Sequence, residues 1–381
     1  MNPTLATKPR YEVLDALRGV AAFMVVLFHM GETYATPTTQ MINHGYLAVD
    51  FFFILSGFVV GYAYDDRWSK MSLWDFFKRR LVRLQPMVIM GTIFGAALYG
   101  FGQCEGFPKI GNVSGWQVAL CFVMGCLMIP CGPRLDIRGW REMNSFNGPN
   151  WTLTWEYLAN ILYALVLRFL PTAVLVVLTL AAAFCTIDLC FDINIFGLLT
   201  ETRAEKAYSV IGGWSITPEQ LYIGFTRLMF PFLCGLVLAR AKRVIKMKHG
   251  FIICSALLVT VFSVPYVGAA PSIWNGAYNA AVILLVFPLV VLMGAGSSNP
   301  KGERSRKFCT LLGEISYPLY ITHYPILYVH MSWAWEHPEA PLYMHILTGA
   351  GAVVLSLGTA YAMMRLYDLP VRKWLTDKFL K

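Results

Sequence analysis

Charge is scarce in this sequence. Asp, Glu, Lys and Arg make up only 14% of its 381 residues, whereas a soluble globular domain carries about 25%. No polar stretch is long enough to fold by itself, which excludes a separate soluble domain within this sequence. We therefore expect one membrane-embedded domain over residues 1–381.

Several other signatures are missing. The nine cysteines lie mostly in apolar segments without Cys-x-x-Cys or Cys/His spacing, which favours packing roles over zinc binding or disulfides. The net charge is +9, but aromatic residues are not interleaved with the basic ones as in a nucleic-acid reader. We therefore expect neither a metal nor a nucleic-acid partner. The first apolar segment is not followed by an Ala-x-Ala-like cleavage site, so we interpret it as an uncleaved span.

Long apolar runs dominate the sequence instead. Hydrophobic residues make up 57% of it, and several runs reach the roughly 20 residues that a helix needs to cross a bilayer. The runs are continuous rather than alternating, which favours helices over the strands of a barrel. This predicts an all-α, polytopic transmembrane bundle of about ten spans. The expected spans are 14–33, 45–64, 85–102, 150–169, 172–191, 219–239, 251–268, 274–295, 311–333 and 342–366.

The basic loops predict which side of the membrane each loop faces. Short loops rich in Lys and Arg are typically cytoplasmic, so Arg83 and Arg240 should lie on the same side, together with both termini. Five apolar segments lie between these two residues, although only an even number can cross. The weakest is 116–130, which is short and interrupted by glycine and proline. We expect it to be re-entrant or interfacial, and we expect the loop 103–149 to face outside.

The first span carries Arg18 and His29, eleven positions apart. They share one helix face and stand about 16 Å apart along the axis. Ionisable groups inside a span are costly unless they face a polar interior. The alternative is an interfacial arginine that snorkels and a hydrogen-bonded core histidine. Under the expected topology His29 lies in the outer half of the bilayer, where Asp50 or Glu32 could orient its imidazole and raise its basicity.

Three later positions stand out. Arg80 and Arg83 are spaced i, i+3 on the cytoplasmic side, so two guanidiniums point the same way and suit a phosphate. The alternative is ordinary positive-inside charge. Glu156 lies inside a span that begins at a Gly-Pro turn, and is a functional candidate for that reason. We expect it in the outer half with His29. His323 is a second histidine at mid-bilayer, in a segment that its prolines should kink.

These motifs, in this order, resemble the acyltransferase-3 family of integral-membrane O-acyltransferases. Its Arg-x10-His signature matches Arg18 and His29. Its Asp-Phe-Phe-x-x-Ser-Gly-Phe signature matches residues 50–58, with one extra residue between the paired Phe and the Ser. Its Arg-x-x-Arg signature matches Arg80 and Arg83.

Two further signatures match later in the chain. The Trp-Ser-Leu-x-x-Glu signature matches residues 151–156, except that Thr152 replaces the usual serine. The hydroxyl is kept, but an acyl-serine intermediate at that position becomes less attractive. The Ser-Tyr-x-x-Tyr-x-x-His signature matches residues 316–323. The resemblance extends from about residue 10 to residue 370, nearly the whole chain.

The resemblance implies an acyl-CoA donor bound from the cytoplasm, with acetyl as the expected acyl group, and His29 as general base. Coenzyme A phosphates would be held by Arg18, Arg80 and Arg83, and Asp50 and Glu156 would complete the catalytic group. The acceptor would be a hydroxyl of a glycan or similar molecule entering from outside the bacterial inner membrane. Candidates for oxyanion or acceptor contacts are Trp151, Thr152, Ser316, Tyr317 and His323. A covalent acyl-histidine intermediate is an open variant.

Two other classes of protein compete with this hypothesis. A polytopic transporter or flippase of a polar or lipid-linked substrate would also have intramembrane charges and broken helices. The two halves of the sequence, however, show no corresponding pair of broken segments. A structural or signalling membrane protein would leave His29, Asp50, Glu156 and His323 without a role.

Overall fold

The computed structural model of the chain describes residues 8–36, 38–298 and 302–380. Within these ranges the elements are helices, and no strand is formed. The helices are α1 (Glu12–Gly31), α2 (Ala48–Tyr64), α3 (Leu73–Leu98), α4 (Gly115–Cys126), α5 (Trp151–Leu165), α6 (Thr172–Cys190), α7 (Pro218–Ala241), α8 (Gly250–Ser263), α9 (Ile273–Ala281), α10 (Phe287–Ala295), α11 (Glu303–Glu336), α12 (Leu342–Met363) and α13 (Leu369–Phe379).

Seven helical stretches in the described ranges are long and apolar enough to cross a membrane. They are Glu12–Gly31, Gly45–Tyr64, Leu73–Gly102, Thr172–Cys190, Pro218–Ala241, Ile273–Ala295 and Leu342–Phe379. The expected all-α polytopic architecture is confirmed. The number ten stays a prediction, because α5 and α8 are shorter than a full span and α11 carries many polar residues.

One end of the bundle collects the basic loops, and we call it the basic end. Arg240 at the end of α7 donates from Nε to Asp65 Oδ2, 2.7 Å away, and from Nη1 to the Leu170 carbonyl, also at 2.7 Å. Arg168 stacks on the Trp68 ring at 3.7 Å. The chain segments after α2, α5 and α7 therefore meet at the same end, as the charge pattern predicts.

The segment between α3 and α5 begins and ends at the opposite end, which we call the distal end. The Gln103 carbonyl accepts a hydrogen bond from Ser332, and Glu142 contacts Tyr328, both late in α11. Between them α4 descends along α3 until the Cys126 carbonyl accepts from Gln85 Nε2 at 2.5 Å. The chain then returns to the distal end. In this structure α4 is therefore a re-entrant helix that does not traverse the bundle.

Close helix packing in the centre depends on two glycines. Gly57 of α2 lies against the Phe232 carbonyl of α7, and Gly235 of α7 lies against the Ile54 carbonyl of α2. A Cβ at either position would meet a backbone oxygen, so only glycine lets the two helices come this close. The helix contact holds Ser56, the neighbour of Gly57, on the wall of a large cavity.

Candidate active site

A cavity of about 890 Å³ extends into the bundle from the basic end. Its walls come from α1, α2, α3, α5, α11 and α13. Basic side chains outnumber acidic ones along it, so it suits an anionic ligand. The basic lining residues are Lys8, Arg10, Arg18, Arg67, Arg79, Arg80, Arg83, Arg372 and Lys373, and the acidic ones are Glu12, Asp15, Glu156, Glu314 and Asp377.

The three expected phosphate-binding arginines all line this cavity. Arg80 is buried and forms an ion pair with Glu156, with Nη2 2.7 Å from Oε1. Arg18 donates to Asp15 at 3.1 Å, one helical turn earlier in α1. Arg83 is exposed on the cavity wall. The i, i+3 spacing did place Arg80 and Arg83 on one surface, and their binding role stays a prediction.

The position of Glu156 differs from our expectation. Instead of lying beside His29 and Asp50, it faces the basic cavity, where it accepts hydrogen bonds from Arg80 and, at 3.2 Å, from Ser56. The physical reason is that α3 and α5 pack together, so the carboxylate meets a buried guanidinium. That neighbour is 76 positions away, which the sequence alone did not reveal.

The inner end of the cavity is closed by Thr152 and Tyr320. Their hydroxyl oxygens are 2.9 Å apart, and each also lies within hydrogen-bond distance of the Pro149 carbonyl oxygen, at 3.0 Å for Thr152 and 3.2 Å for Tyr320. One turn further along α11 lies His323, whose ring centroid is 6.0 Å from that of Tyr320. We call the Thr152–Tyr320 pair the plug, since it separates the cavity from the histidines behind it.

Behind the plug, His29 and His323 stack with ring centroids 5.6 Å apart. His29 Nδ1 lies 2.6 Å from Glu32 Oε2. A carboxylate there favours the tautomer with the proton on Nδ1, which leaves Nε2 as a proton acceptor. His323 is fully buried, and its Nδ1 lies 3.0 Å from the Leu319 carbonyl. Among the described residues its Nε2 has no hydrogen-bond partner.

Asp50 does not hold His29, contrary to one of our two expectations. It is buried and forms an ion pair with Arg227 of α7, with oxygen and nitrogen 2.7 Å apart. Arg227 also donates to the Tyr46 carbonyl at 2.6 Å. Glu32, the other expected partner, makes the imidazole contact. Sequence reasoning missed Arg227, although a lone arginine inside an apolar span was a visible signal.

The remaining oxyanion or acceptor candidates differ in their position relative to the cavity. Ser316 and Tyr317 line the cavity, but their hydroxyls donate to the Gly313 and Leu84 carbonyls, both at 2.8 Å. Trp151 is largely buried at the start of α5 and lies near Arg227, outside the cavity lining. Of the oxyanion or acceptor candidates, Thr152 therefore forms part of the plug and His323 lies directly behind it.

A cluster at the distal end was also missed. Glu142 lies in the segment between α4 and α5, and both of its carboxyl oxygens are within 2.8 Å of the Tyr328 hydroxyl. Arg138 stacks on the Tyr328 ring at 3.6 Å. Burial raises the pKa of Glu142 to about 8, although Tyr328 and Arg138 oppose the shift. Nothing in the local sequence indicated that this carboxyl would be buried.

The family model described as an acyltransferase domain matches residues 11–365. Protein 2 in picA locus of Rhizobium radiobacter is 31% identical over 162 residues, which cover 41% of this chain and 81% of that protein. O-acetyltransferase OatA of Staphylococcus aureus is 24% identical over 390 residues, 96% of this chain and 58% of that protein. Peptidoglycan O-acetyltransferase OatA of Listeria monocytogenes is 24% identical, with 94% and 55% covered. The chain thus spans little more than half the length of these O-acetyltransferases. No solved structure matches it.

Proposed function

Because this chain belongs to the acyltransferase-3 family of integral-membrane O-acyltransferases, we propose that it moves an acyl group, acetyl in the simplest case, from acyl-CoA to a hydroxyl of a glycan. The donor enters at the basic end and the acceptor at the distal end. The observation that carries the proposal is the basic cavity that ends at the plug, directly before the stacked His29 and His323.

The cavity fits the chemistry of coenzyme A. Guanidinium groups bind phosphate oxygens through paired hydrogen bonds. The cavity lining contains three such groups, those of Arg18, Arg80 and Arg83. The pantetheine arm is long and slender, so it can reach from these arginines toward the plug. Glu156 acts here as a positioning residue, since its ion pair fixes the Arg80 side chain.

His29 is the general base of the proposed reaction. Its Nε2 takes the proton of the acceptor hydroxyl while the oxygen attacks the thioester carbonyl, and Glu32 stabilises the imidazolium that forms. The carbon–sulfur bond then breaks, and the proton passes from His29 to the leaving sulfur, giving coenzyme A and the ester. The Thr152 and Tyr320 hydroxyls are the donors best placed for the oxyanion, once the acyl group displaces their mutual contact.

The proposed cellular location of the protein follows from the donor entering at the basic end. We place the protein in the bacterial cytoplasmic membrane, with the basic end and both termini in the cytoplasm, as one domain over residues 1–381. The basic loops support this side. The glycan acceptor is supported by the Listeria relative, a peptidoglycan O-acetyltransferase.

The test uses the purified full chain in lipid nanodiscs with radiolabelled acetyl-CoA and soluble peptidoglycan fragments. We expect label in the glycan, loss of at least about a hundredfold in His29→Ala, and near-parent rates in His337→Ala, an exposed histidine at the end of α11. Equal loss of activity in both variants would contradict the base assignment. A transporter would instead accumulate substrate in vesicles without turnover of the thioester.

A further inference from the structure

The C-terminal helix α13 presents one complete face to the basic cavity. Its lining residues recur at intervals of three and four, which is the repeat of a single helix face. They are Leu369, Arg372, Lys373, Thr376 and Asp377, followed by Leu380 just past the end of the helix. Trp374 and Lys378 lie outside the lining, with the ammonium of Lys378 on the Trp374 ring at 5.0 Å. The face toward the cavity is therefore the polar one.

The position of α13 is fixed by the rest of the bundle. It continues from α12 through a π-helical segment, Met364–Asp368, and such segments are frequent at functional sites. Asp368 is buried and pairs with Arg372 at 2.5 Å. At the other end of the helix, Lys78 at the start of α3 lies 3.5 Å from the Phe379 carbonyl. The helix thus lies at the cytoplasmic rim of the cavity rather than free in solution.

The cations of the cavity consequently form two groups at different depths. Arg18 and Arg80 lie inside and share the neighbourhood of Glu156, whereas Lys373 is exposed at the rim. Coenzyme A carries its negative charge in two places as well. The pyrophosphate joins the pantetheine arm, and the 3′-phosphate sits on the ribose, at the end of the molecule remote from the thioester.

We propose that the α13 face binds the ribose 3′-phosphate, with Lys373 as the charge contact. Arg372 is held by Asp368 beside it and positions the helix face. When the thioester points to the plug, the pyrophosphate at the end of the pantetheine arm reaches the inner arginines. The 3′-phosphate, which lies further from the thioester, then reaches α13. This assignment rests on the proposed acyl-CoA donor, and it makes α13 the element that distinguishes coenzyme A from its dephospho form.

The experiment compares acetyl-CoA with acetyl-dephospho-CoA, which lacks only the 3′-phosphate, on the full chain in nanodiscs. In Lys373→Glu we expect KM for acetyl-CoA to rise about tenfold, since a charge-assisted contact is replaced by repulsion. The kcat and the KM for acetyl-dephospho-CoA should stay within about twofold. Lys378→Glu makes the same charge change on the opposite face and should alter neither KM.

A binding measurement gives a readout independent of turnover. Adenosine 3′,5′-bisphosphate should bind the parent more tightly than AMP, which lacks only the 3′-phosphate, and Lys373→Glu should abolish that preference. The assignment is overturned if Lys373→Glu affects both donors equally, if Lys378→Glu has the same effect, or if the parent does not distinguish the donors. In those cases acyl transfer itself still stands. If the parent consumes neither donor, the proposed function fails instead.

Discussion

At the scale of single residues, the buried pair of Asp50 and Arg227 explains why an apolar helix begins with a carboxylate. Both side chains are almost completely excluded from solvent, and 177 positions separate them in the chain. Removing one partner of a buried ion pair leaves an uncompensated charge, which costs about 3–5 kcal/mol. We therefore expect Asp50 to act on folding, whereas the role proposed for His29 is in the chemistry.

We predict that Arg227→Ala lowers the thermal stability of the detergent-solubilised protein strongly, by an amount in that range of about 3–5 kcal/mol. The double variant Asp50→Leu/Arg227→Met should recover most of it, because no charge is then left alone. His29→Ala should unfold like the parent while losing activity. Unchanged unfolding of Arg227→Ala would remove the structural role of the pair.

Glu142 predicts a pH effect on stability. Its folded pKa of about 8 lies above the ordinary glutamate value of about 4.3, so the folded state holds a proton that the unfolded state has lost. Stability should therefore fall as the pH rises from about 4.3 to 8. The charges that surround it are those of Arg138, Asp136 and Glu32, and Tyr328 holds it by hydrogen bonds.

The measurement is the melting temperature between pH 6 and pH 9. The parent should lose stability over this interval, and Glu142→Gln should lose less, since the amide cannot ionise. Glu105→Gln changes an exposed carboxylate between α3 and α4 and should follow the parent. Parallel curves for the parent and Glu142→Gln would show that Glu142 does not titrate in this interval.

How much of the site the sequence predicts depends on the distance along the chain. The contact of His29 with Glu32 and the shared surface of Arg80 and Arg83 follow from helical spacing, so both were within reach of sequence reasoning. The partners of Asp50 and Glu156 come from distant helices. Only packing decides which of several carboxylates meets which guanidinium, and therefore these two expectations were wrong in position.

At the scale of elements, the contact of α2 with α7 gives the Ser-Gly-Phe motif a physical meaning. Ser56 faces the cavity and donates to Glu156, while Gly57 faces the Phe232 carbonyl. We predict that Gly57→Ala forces the helices apart and destabilises the protein by about 1–3 kcal/mol. Gly358→Ala on α12, where a Cβ has open space, should be neutral or stabilising. Thermal unfolding of both variants in detergent checks this.

The re-entrant path of α4 predicts on which side of the membrane the later loops lie. Single cysteines replace Arg134, Glu201 and Lys246, all exposed, in a cysteine-free background. A membrane-impermeant maleimide on intact cells should label the first two, whereas the third should label only after lysis. Protection of the cysteine at 134 together with labelling at 201 would mean that α4 crosses the membrane.

Apolar length and basic loops predicted the helical architecture and the path of α4, because both follow from local composition. The position of α13 could not be predicted in this way. Its sequence is that of a short basic tail, and only its docking against α3 turns one face toward the cavity. The π-helical segment Met364–Asp368, which joins α12 to α13, also has no distinct sequence signal.

At the scale of the whole molecule, the plug determines where the transmembrane voltage falls within the protein. In the proposed orientation the cavity opens to the cytoplasm and carries the cytoplasmic potential inward as far as Thr152 and Tyr320. The voltage across the membrane then falls over the thin layer between the plug and the distal surface, where His29 lies. A unit charge that crosses the full voltage gains about 2.3 kcal/mol per 100 mV. In the proposed reaction, however, the proton that moves inward to the leaving sulfur is exchanged for the acyl group that moves outward, and reactants and products are neutral at these atoms. No net charge therefore crosses the layer, and the membrane potential should not drive the acyl transfer.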